Sequence, residues 1–350
     1  MFNKIFGLFS HDIGIDLGTA TTLVYVRGKG IVINQPSVVA LNQKTGQVVA
    51  IGNEAKKMVG RTPAHIVAIR PLIDGVISDF EVTEEMISYF IKNVHKEMVR
   101  PFARSRVVVG VPSGVTDVER RAVRDAVKNA GGREVYLVEE PVAAAIGVKL
   151  PIQEPIGSMV VDIGGGSSDI VVISLGGIVV SRNLRAAGDR LNQDIINYAR
   201  DEFKLLLGER TAEDIKIAIG SAVSSGENIE ATVRGRDLMT GLPKEVVITD
   251  GDVRAAISKS LGSLSRTVKE VMEETPPELV SDIMHRGIVL VGGGALLRGL
   301  PEFLESEMKI PVHLAEDPLT AVVRGTGIIL EDLDSLKDVL ITPEDNASQL

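Results

Sequence analysis

The sequence predicts an α/β fold made of two related halves. Three features carry this reading. Strands alternate with amphipathic helices, several strands are unbroken β-branched runs, and one strand–turn–strand pattern returns about 150 residues after it first occurs. With 350 residues, 44% of them hydrophobic and 24% charged, the chain has room for two such halves with a sizeable core.

Residues 12–26 (DIGIDLGTATTLVYV) hold two apolar runs separated by a Gly-Thr turn, which reads as a pair of strands. The run 106–112 (RVVVGVP) has the composition of a strand covered on both faces. A helix should follow it. Thr116 and Glu119 fit a capping box, Val118, Ala122, Val123, Ala126, Val127 and Ala130 form one apolar face, and Gly131 sits where a C-cap glycine belongs. Strand 135–138 and helix 141–148 come next, with Pro141 suited to the first helical position. The pattern then restarts with strand 158–163, a Gly-rich turn, and strands 169–174 and 177–181. A further strand, 288–291 (IVLV), leads into a third glycine cluster, and a last helix is expected near 319–330.

The restart can be read residue by residue. IDLGTATTLVYV from Ile15 and VDIGGGSSDIVVI from Val161 align Asp16 with Asp162 and Gly18 with Gly164. The interval is far too long for a solenoid repeat and suggests two facing lobes. A turn of Gly, Thr and Ser presents backbone N–H groups with no bulky side chain in the way, an anion nest suited to phosphate. Two such hairpins can grip a polyphosphate. A carboxylate beside each would repel phosphate directly, but it can hold water on a Mg²⁺ that bridges phosphates. Read structurally, the same carboxylates cap turns at strand ends. In VLVGGGALLRG (289–299), Gly292, Gly293 and Gly294 let a flat ring lie against backbone, and a following helix N-terminus would favour an anion. A GGG by itself is also an ordinary tight turn. Neither GxxxxGK[ST] nor GxGxxG occurs, so the P-loop and dinucleotide-binding folds are not supported.

Composition removes other chemistries. With no cysteine there is no disulfide scaffold, thiolate nucleophile or Cys-ligated metal. His11, His65, His95, His285 and His313 are scattered without metal-ligand spacing. A net charge of −9 gives no electrostatic footprint for nucleic acid, and no run of 18 apolar residues spans a bilayer.

DIGIDLGT, EEPVAAAIG (139–147), VVDIGGGSSDI and LVGGGALLRG, in this order and spacing, resemble the phosphate loops, connecting helix and adenosine loop of the actin, sugar kinase and heat-shock-chaperone ATPase superfamily. Within it the chain is similar to the MreB family of bacterial actin homologues. KGIVINQPSVVA (29–40), GRTPAHIVAIRPLIDGVISDFEVTEEM (60–86), GVPSGVTDVERRAV (110–123), GERTAEDIK (208–216) and TPPELVSDI (275–283) extend the likeness over about residues 11–330.

The resemblance implies a two-lobed actin-like ATPase fold with duplicated mixed sheets flanked by helices. Lobe I would span 11–150 with a smaller subdomain inserted at about 38–75. Lobe II would span 151–330 with an insert at about 188–250, followed by an acidic tail, 331–350. Helices 141–148 and 319–330 would cross between lobes and couple nucleotide state to their angle. The resemblance also implies ATP/ADP and Mg²⁺ as cofactors. Asp16 and Asp162 would associate with the metal. Gly18, Thr19, Ala20 and Thr21 would form the first phosphate loop, and Gly164, Gly165 and Gly166 the second. Glu213, Asp214, Ile215 and Lys216 would contact ribose and adenine, and Gly292, Gly293, Gly294 and Ala295 would form the adenosine loop. Glu140 would position the attacking water and Ser167 would help hold it. Read structurally, Glu140 is an acid favoured by a helix N-terminus. The chain departs from the family pattern at Ser167-Ser168-Asp169, at Thr21 and at Val291.

The implied function is a weak ATPase that polymerises into filaments under the cytoplasmic membrane. There it would organise cell-wall synthesis for rod shape, with membrane-embedded elongation proteins as partners and no nucleic acid. The alternative within the fold is a soluble small-molecule kinase or chaperone-type ATPase. Phe2, Ile5, Phe6 and Phe9 recur at i, i+3, i+4 and i+7, a short amphipathic anchor at 1–10 that lies in the membrane plane. Met98, Val99 and Phe102, set among basic residues, form a second candidate for the same membrane face.

Overall fold

A computed structural model describes residues 12–97, 105–224 and 226–341. The chain forms two compact units. One holds the residues up to Ile156, Ile173–Ser181 and those from Leu319 on; the other holds Gly157–Val172 and Arg182–Pro318.

The first unit opens with β1 (Ile13–Leu17), β2 (Thr21–Val26) and β3 (Gly30–Pro36). A small sheet follows, from β4 (Val39–Asn42), β5 (Val48–Ile51) and, after α1 (Asn53–Met58), β6 (Ile66–Ile69), with β4 in the middle. The short hairpin β7 (Leu72–Ile73) and β8 (Val76–Ile77) leads into α2 (Phe80–Glu97). Then come β9 (Arg106–Val111), α3 (Asp117–Asn129), β10 (Glu134–Glu139) and α4 (Glu140–Gly147). The main sheet has the order β10-β9-β1-β2-β3, with β1, β9 and β10 parallel. Val107, Val108 and Val109 are wholly buried, as their unbroken apolar run requires. β1 and β9 pack with Met86, Ile87, Phe90 and Val94 of α2 and with Val123, Ala126 and Val127 of α3 in one core.

Helix α3 starts as its sequence predicts. Glu119 donates its N–H to Thr116 Oγ1 at 3.3 Å, and the Glu119 carboxylate accepts the Thr116 N–H at 2.7 Å. Its expected apolar face needs one correction, because Val118 is 79% exposed. At 100° per residue Val118 lies about 130° from the centre of the stripe formed by Val123, Ala126, Val127 and Ala130. Helix α4 begins at Glu140, so Pro141 is its second residue rather than its first.

The second unit repeats the plan. It contains β11 (Ser158–Ile163), β12 (Ser168–Ser174) as far as Val172, the end of β13 (Gly177–Leu184) from Arg182, α5 (Gly188–Phe203), β14 (Leu205–Leu206), α6 (Glu209–Ile219), β15 (Glu230–Asp237) and β16 (Pro243–Thr249). It continues through α7 (Asp250–Glu274), α8 (Pro277–Arg286), β17 (Ile288–Val291), α9 (Leu300–Met308) and β18 (Val312–Leu314). Its main sheet has the order β13-β12-β11-β17-β18, and β14-β15-β16 form a smaller one.

Among the described residues the last α-helix is α10 (Ala321–Glu331), which counts with the first unit and packs on α4 of the same unit. The two helix backbones touch. A Cβ on Gly147 would strike the Ala321 carbonyl and come within 2.9 Å of the Gly325 nitrogen, and one on Gly325 would strike the Ala143 carbonyl. Small residues at these points permit the close approach. Among the described residues no helix is long and apolar enough to cross a membrane.

Candidate functional site

In the first unit the sheet brings its chemistry to one edge. Asp16, next to last in β1, pairs with Gly110 of β9, and Gly110 pairs with Val138 of β10, just before Glu139 and Glu140. The carboxyl ends of three parallel strands therefore meet there, the usual place for a ligand in an α/β sheet. Gly110 leaves room for Glu140: a Cβ on it would lie 3.2 Å from Glu140 Cγ. Ser113 donates to the neighbouring Glu139 carboxylate at 3.3 Å.

The loop Gly18–Ala20 joins β1 to β2 and is held from behind. Ser37, fully buried after β3, donates its hydroxyl to the Gly18 carbonyl at 2.6 Å and its N–H to the Ala20 carbonyl at 3.1 Å. The same hydroxyl lies 2.9 Å from Thr22 Oγ1. Thr19 is buried, and its hydroxyl accepts the Gly75 N–H at 2.9 Å. The Gly18 and Ala20 carbonyls are thus both engaged by donors of Ser37. Thr21 begins β2 and is half-buried. Asp16 Oδ1 comes within 3.7 Å of where a Gly18 Cβ would stand, so its carboxylate lies beside the loop. Burial pushes the Asp16 carboxyl up to about 7.

The second unit presents a matching arrangement. Asp162 on β11 pairs with Val291 of the parallel β17, so the loops after the two strands emerge side by side. Gly292 has φ +82°, and a Cβ there would collide with Asp162 Oδ1. Glycine at this position therefore lets the carboxylate lie against the third glycine cluster. Gly164 closes the turn after β11 by donating to the Ser167 carbonyl at 2.9 Å, and Ser167 itself is buried. The carbonyls of Gly164 and Gly165 accept the N–H groups of Gly188 at 3.2 Å and Asp189 at 2.8 Å, both at the start of α5. Gly166 lies between these anchored residues and Ser167. Ser168 donates to the Ala186 carbonyl at 2.8 Å, and Asn183 donates to Asp169 at 3.0 Å.

On α6, Glu213 and Lys216 are half-buried and lie three residues apart, on one face. Lys216 Nζ donates to the Gly188 carbonyl at 2.9 Å. Asp214 is exposed and Ile215 is buried in the core of the unit. The glycine cluster differs from expectation. Gly293–Leu296 is a single 3₁₀ turn, closed by Leu297 N–H on the Gly294 carbonyl at 3.1 Å, and α9 starts only at Leu300. Adjacent glycines disfavour an α-helical first turn. Ala295 is buried within this turn.

Among the described residues no cluster of three acidic or histidine side chains could cage a metal. One carboxylate beside each phosphate-type loop instead suits hydrated Mg²⁺, which keeps several waters and takes ligands from phosphate. A nearby cation would also hold the Asp16 carboxyl ionised against its burial. Phe2, Ile5, Phe6, Phe9, Met98, Val99 and Phe102 lie outside the described residues. Ser37, Gly75, Gly110 and Gly188 were not singled out from the sequence. Their partners are remote in the chain, and only the Pro36-Ser37 break after β3 offers a local sign.

Comparison with known proteins finds relatives along nearly the whole chain. A family model described as MreB/Mbl protein matches residues 10–338. The cell shape-determining protein MreB of Escherichia coli (strain K12) is 52% identical over 339 residues, covering 95% of this chain and 97% of that protein. The cell shape-determining protein Mbl of Bacillus subtilis (strain 168) is 49% identical over 329 residues, covering 94% and 98%. Among solved structures, MreB5 of Spiroplasma citri bound to ADP superposes with a TM-score of 0.89 at 38% identity, covering 95% of this chain and 98% of that one.

Proposed function

The chain belongs to the MreB/Mbl family and has its actin-like ATPase fold, and we propose that it is an ATP-binding, slowly ATP-hydrolysing filament protein that maintains rod cell shape. One observation carries this reading: in each unit an Asp near the end of a parallel strand stands beside a turn of small residues with two carbonyls engaged by protein donors. The ADP held by the Spiroplasma relative and the names of the bacterial relatives support it.

Each half-site serves nucleotide: Gly18, Thr19, Ala20 and Thr21 receive phosphate in the first unit, and Gly164, Gly165 and Gly166 in the second. Glu213 and Lys216, with Asp214 and Ile215 in the same turn of helix, meet the adenosine end together with Gly292, Gly293, Gly294 and Ala295. Asp16 and Asp162 would hold Mg²⁺, which when bound would neutralise charge on the phosphates. The Glu140 carboxylate orients the attacking water and takes its proton as the water oxygen bonds to the γ-phosphorus and ADP leaves; the Ser167 hydroxyl steadies that water.

Subunits stack head to tail through heterologous contacts, which propagate into a filament when they do not close. Filaments lie at the inner face of the cytoplasmic membrane, anchored by residues 1–10 and by 98–102, and engage membrane-embedded elongation proteins. Many weak anchors on one filament bind by avidity. The test is sedimentation of micromolar protein with ATP and Mg²⁺. Pelleting that depends on both supports the reading; protein that stays in the supernatant while binding ATP rules out the filament.

A further inference from the structure

Behind the second phosphate loop lies the segment Ala186–Asp189, tied to it by three hydrogen bonds. Ser168 Oγ donates to the Ala186 carbonyl at 2.8 Å, and the N–H groups of Gly188 and Asp189 donate to the carbonyls of Gly164 and Gly165 at 3.2 and 2.8 Å. Two of these bonds engage carbonyls of the loop itself with protein donors. A fourth bond supports them from outside: Lys216 Nζ donates to the Gly188 carbonyl at 2.9 Å. The Gly188 C=O and the Asp189 N–H belong to one planar peptide group. That amide is therefore bonded on both sides, to an ammonium at its oxygen and to the Gly165 carbonyl at its nitrogen. A cation at the oxygen fixes the plane and polarises the amide, which strengthens the N–H as a donor.

We infer that Lys216 is a positioning residue for the second phosphate loop, acting through the peptide group between Gly188 and Asp189 upon the Gly165 carbonyl. The inference rests on the nucleotide reading for its consequence but not for its geometry. Lys216 then does more than meet the adenosine end. It also governs how well the phosphate end is received.

The test uses the full chain and K216M, which keeps the aliphatic stem and removes the donors, with K216R as the conservative variant. Without nucleotide, hydrogen exchange of the Asp189 amide is expected to rise about tenfold in K216M and to return towards wild type in K216R, the effect of losing and regaining a charge-assisted hydrogen bond. Calorimetry then compares Mg-ADP with AMP. K216M should lose about tenfold more affinity for the diphosphate than for the monophosphate. Unchanged Asp189 exchange, or equal losses for the two nucleotides, overturns the inference. Should K216M not fold, K216Q is held to the same two outcomes. A wild-type chain that binds no Mg-ADP sinks the nucleotide reading instead, and the exchange comparison still decides the role of Lys216.

Discussion

At Asp16 burial and ionisation oppose one another. The folded carboxyl titrates near 7, against an ordinary value of 3.8. Below the lower value both folded and unfolded states hold the proton and no stability is lost. As the pH rises towards 7 the unfolded chain releases a proton that the folded one retains, so stability falls, and above 7 the loss is constant. Asp16→Asn should therefore melt close to wild type at pH 4 and above it at pH 8, in the absence of Mg²⁺ and nucleotide. A gap that is missing at pH 8, or that widens on acidification, contradicts this account of the burial. Glu140 makes a separate prediction. Its place at the first position of α4, over Gly110, gives it a reach towards the Asp16 edge that the helix-dipole reading alone would not require. Glu140→Ala should bind ATP within a few-fold of wild type and hydrolyse it about 100-fold more slowly in a single turnover. An unchanged single-turnover rate removes Glu140 from the mechanism.

Among the elements, α4 and α10 set the tightest tolerance. Replacing Gly325 by Ala puts a methyl group into the Ala143 carbonyl, and the backbones must separate. The cost should be at least about 3 kcal/mol, at the upper end of overpacking effects, read as a lowered midpoint in urea. A midpoint within experimental error of wild type would mean that the two helices do not touch as described. The capping box of α3 is milder: Thr116→Ala should cost about 1 kcal/mol in the same assay. These elements also show what the sequence can disclose. The strands at 106–111, 158–163 and 288–291 and the start of α3 were legible because their signals are local, a β-branched run or a cap followed by an acid three residues on. The exposure of Val118 was also within reach, since its angle from the stripe follows from helix geometry. The 3₁₀ turn after β17 was not: a glycine triplet permits several turns, and contact with Ile163 and the Pro318 carbonyl selects one. The loop residues likewise announced themselves by type and order. Their anchors did not, because Ser37 and Gly75 act on the first loop from 19 and 56 residues away. Beyond the Pro36-Ser37 break, nothing local marks a serine as the donor to a remote carbonyl.

On the scale of the whole molecule, a net charge of −9 makes attraction to anionic lipid weak, so the proposed membrane binding would have to come from apolar side chains and from many copies acting together. Deleting residues 1–10 should therefore lower co-sedimentation of ATP-assembled protein with liposomes; pelleting that is unaffected removes the anchor. The central claim is that the two acid-flanked glycine turns exist to hold Mg-ATP. Titration calorimetry of the purified chain with ATP and with ADP tests it most directly. Binding of both is predicted when Mg²⁺ is present, weakened at least about tenfold by EDTA or by Asp162→Ala, in keeping with the loss of a charged contact. Heat-silent titrations at every magnesium concentration, with no binding by an independent fluorescent nucleotide, would contradict the account at its root.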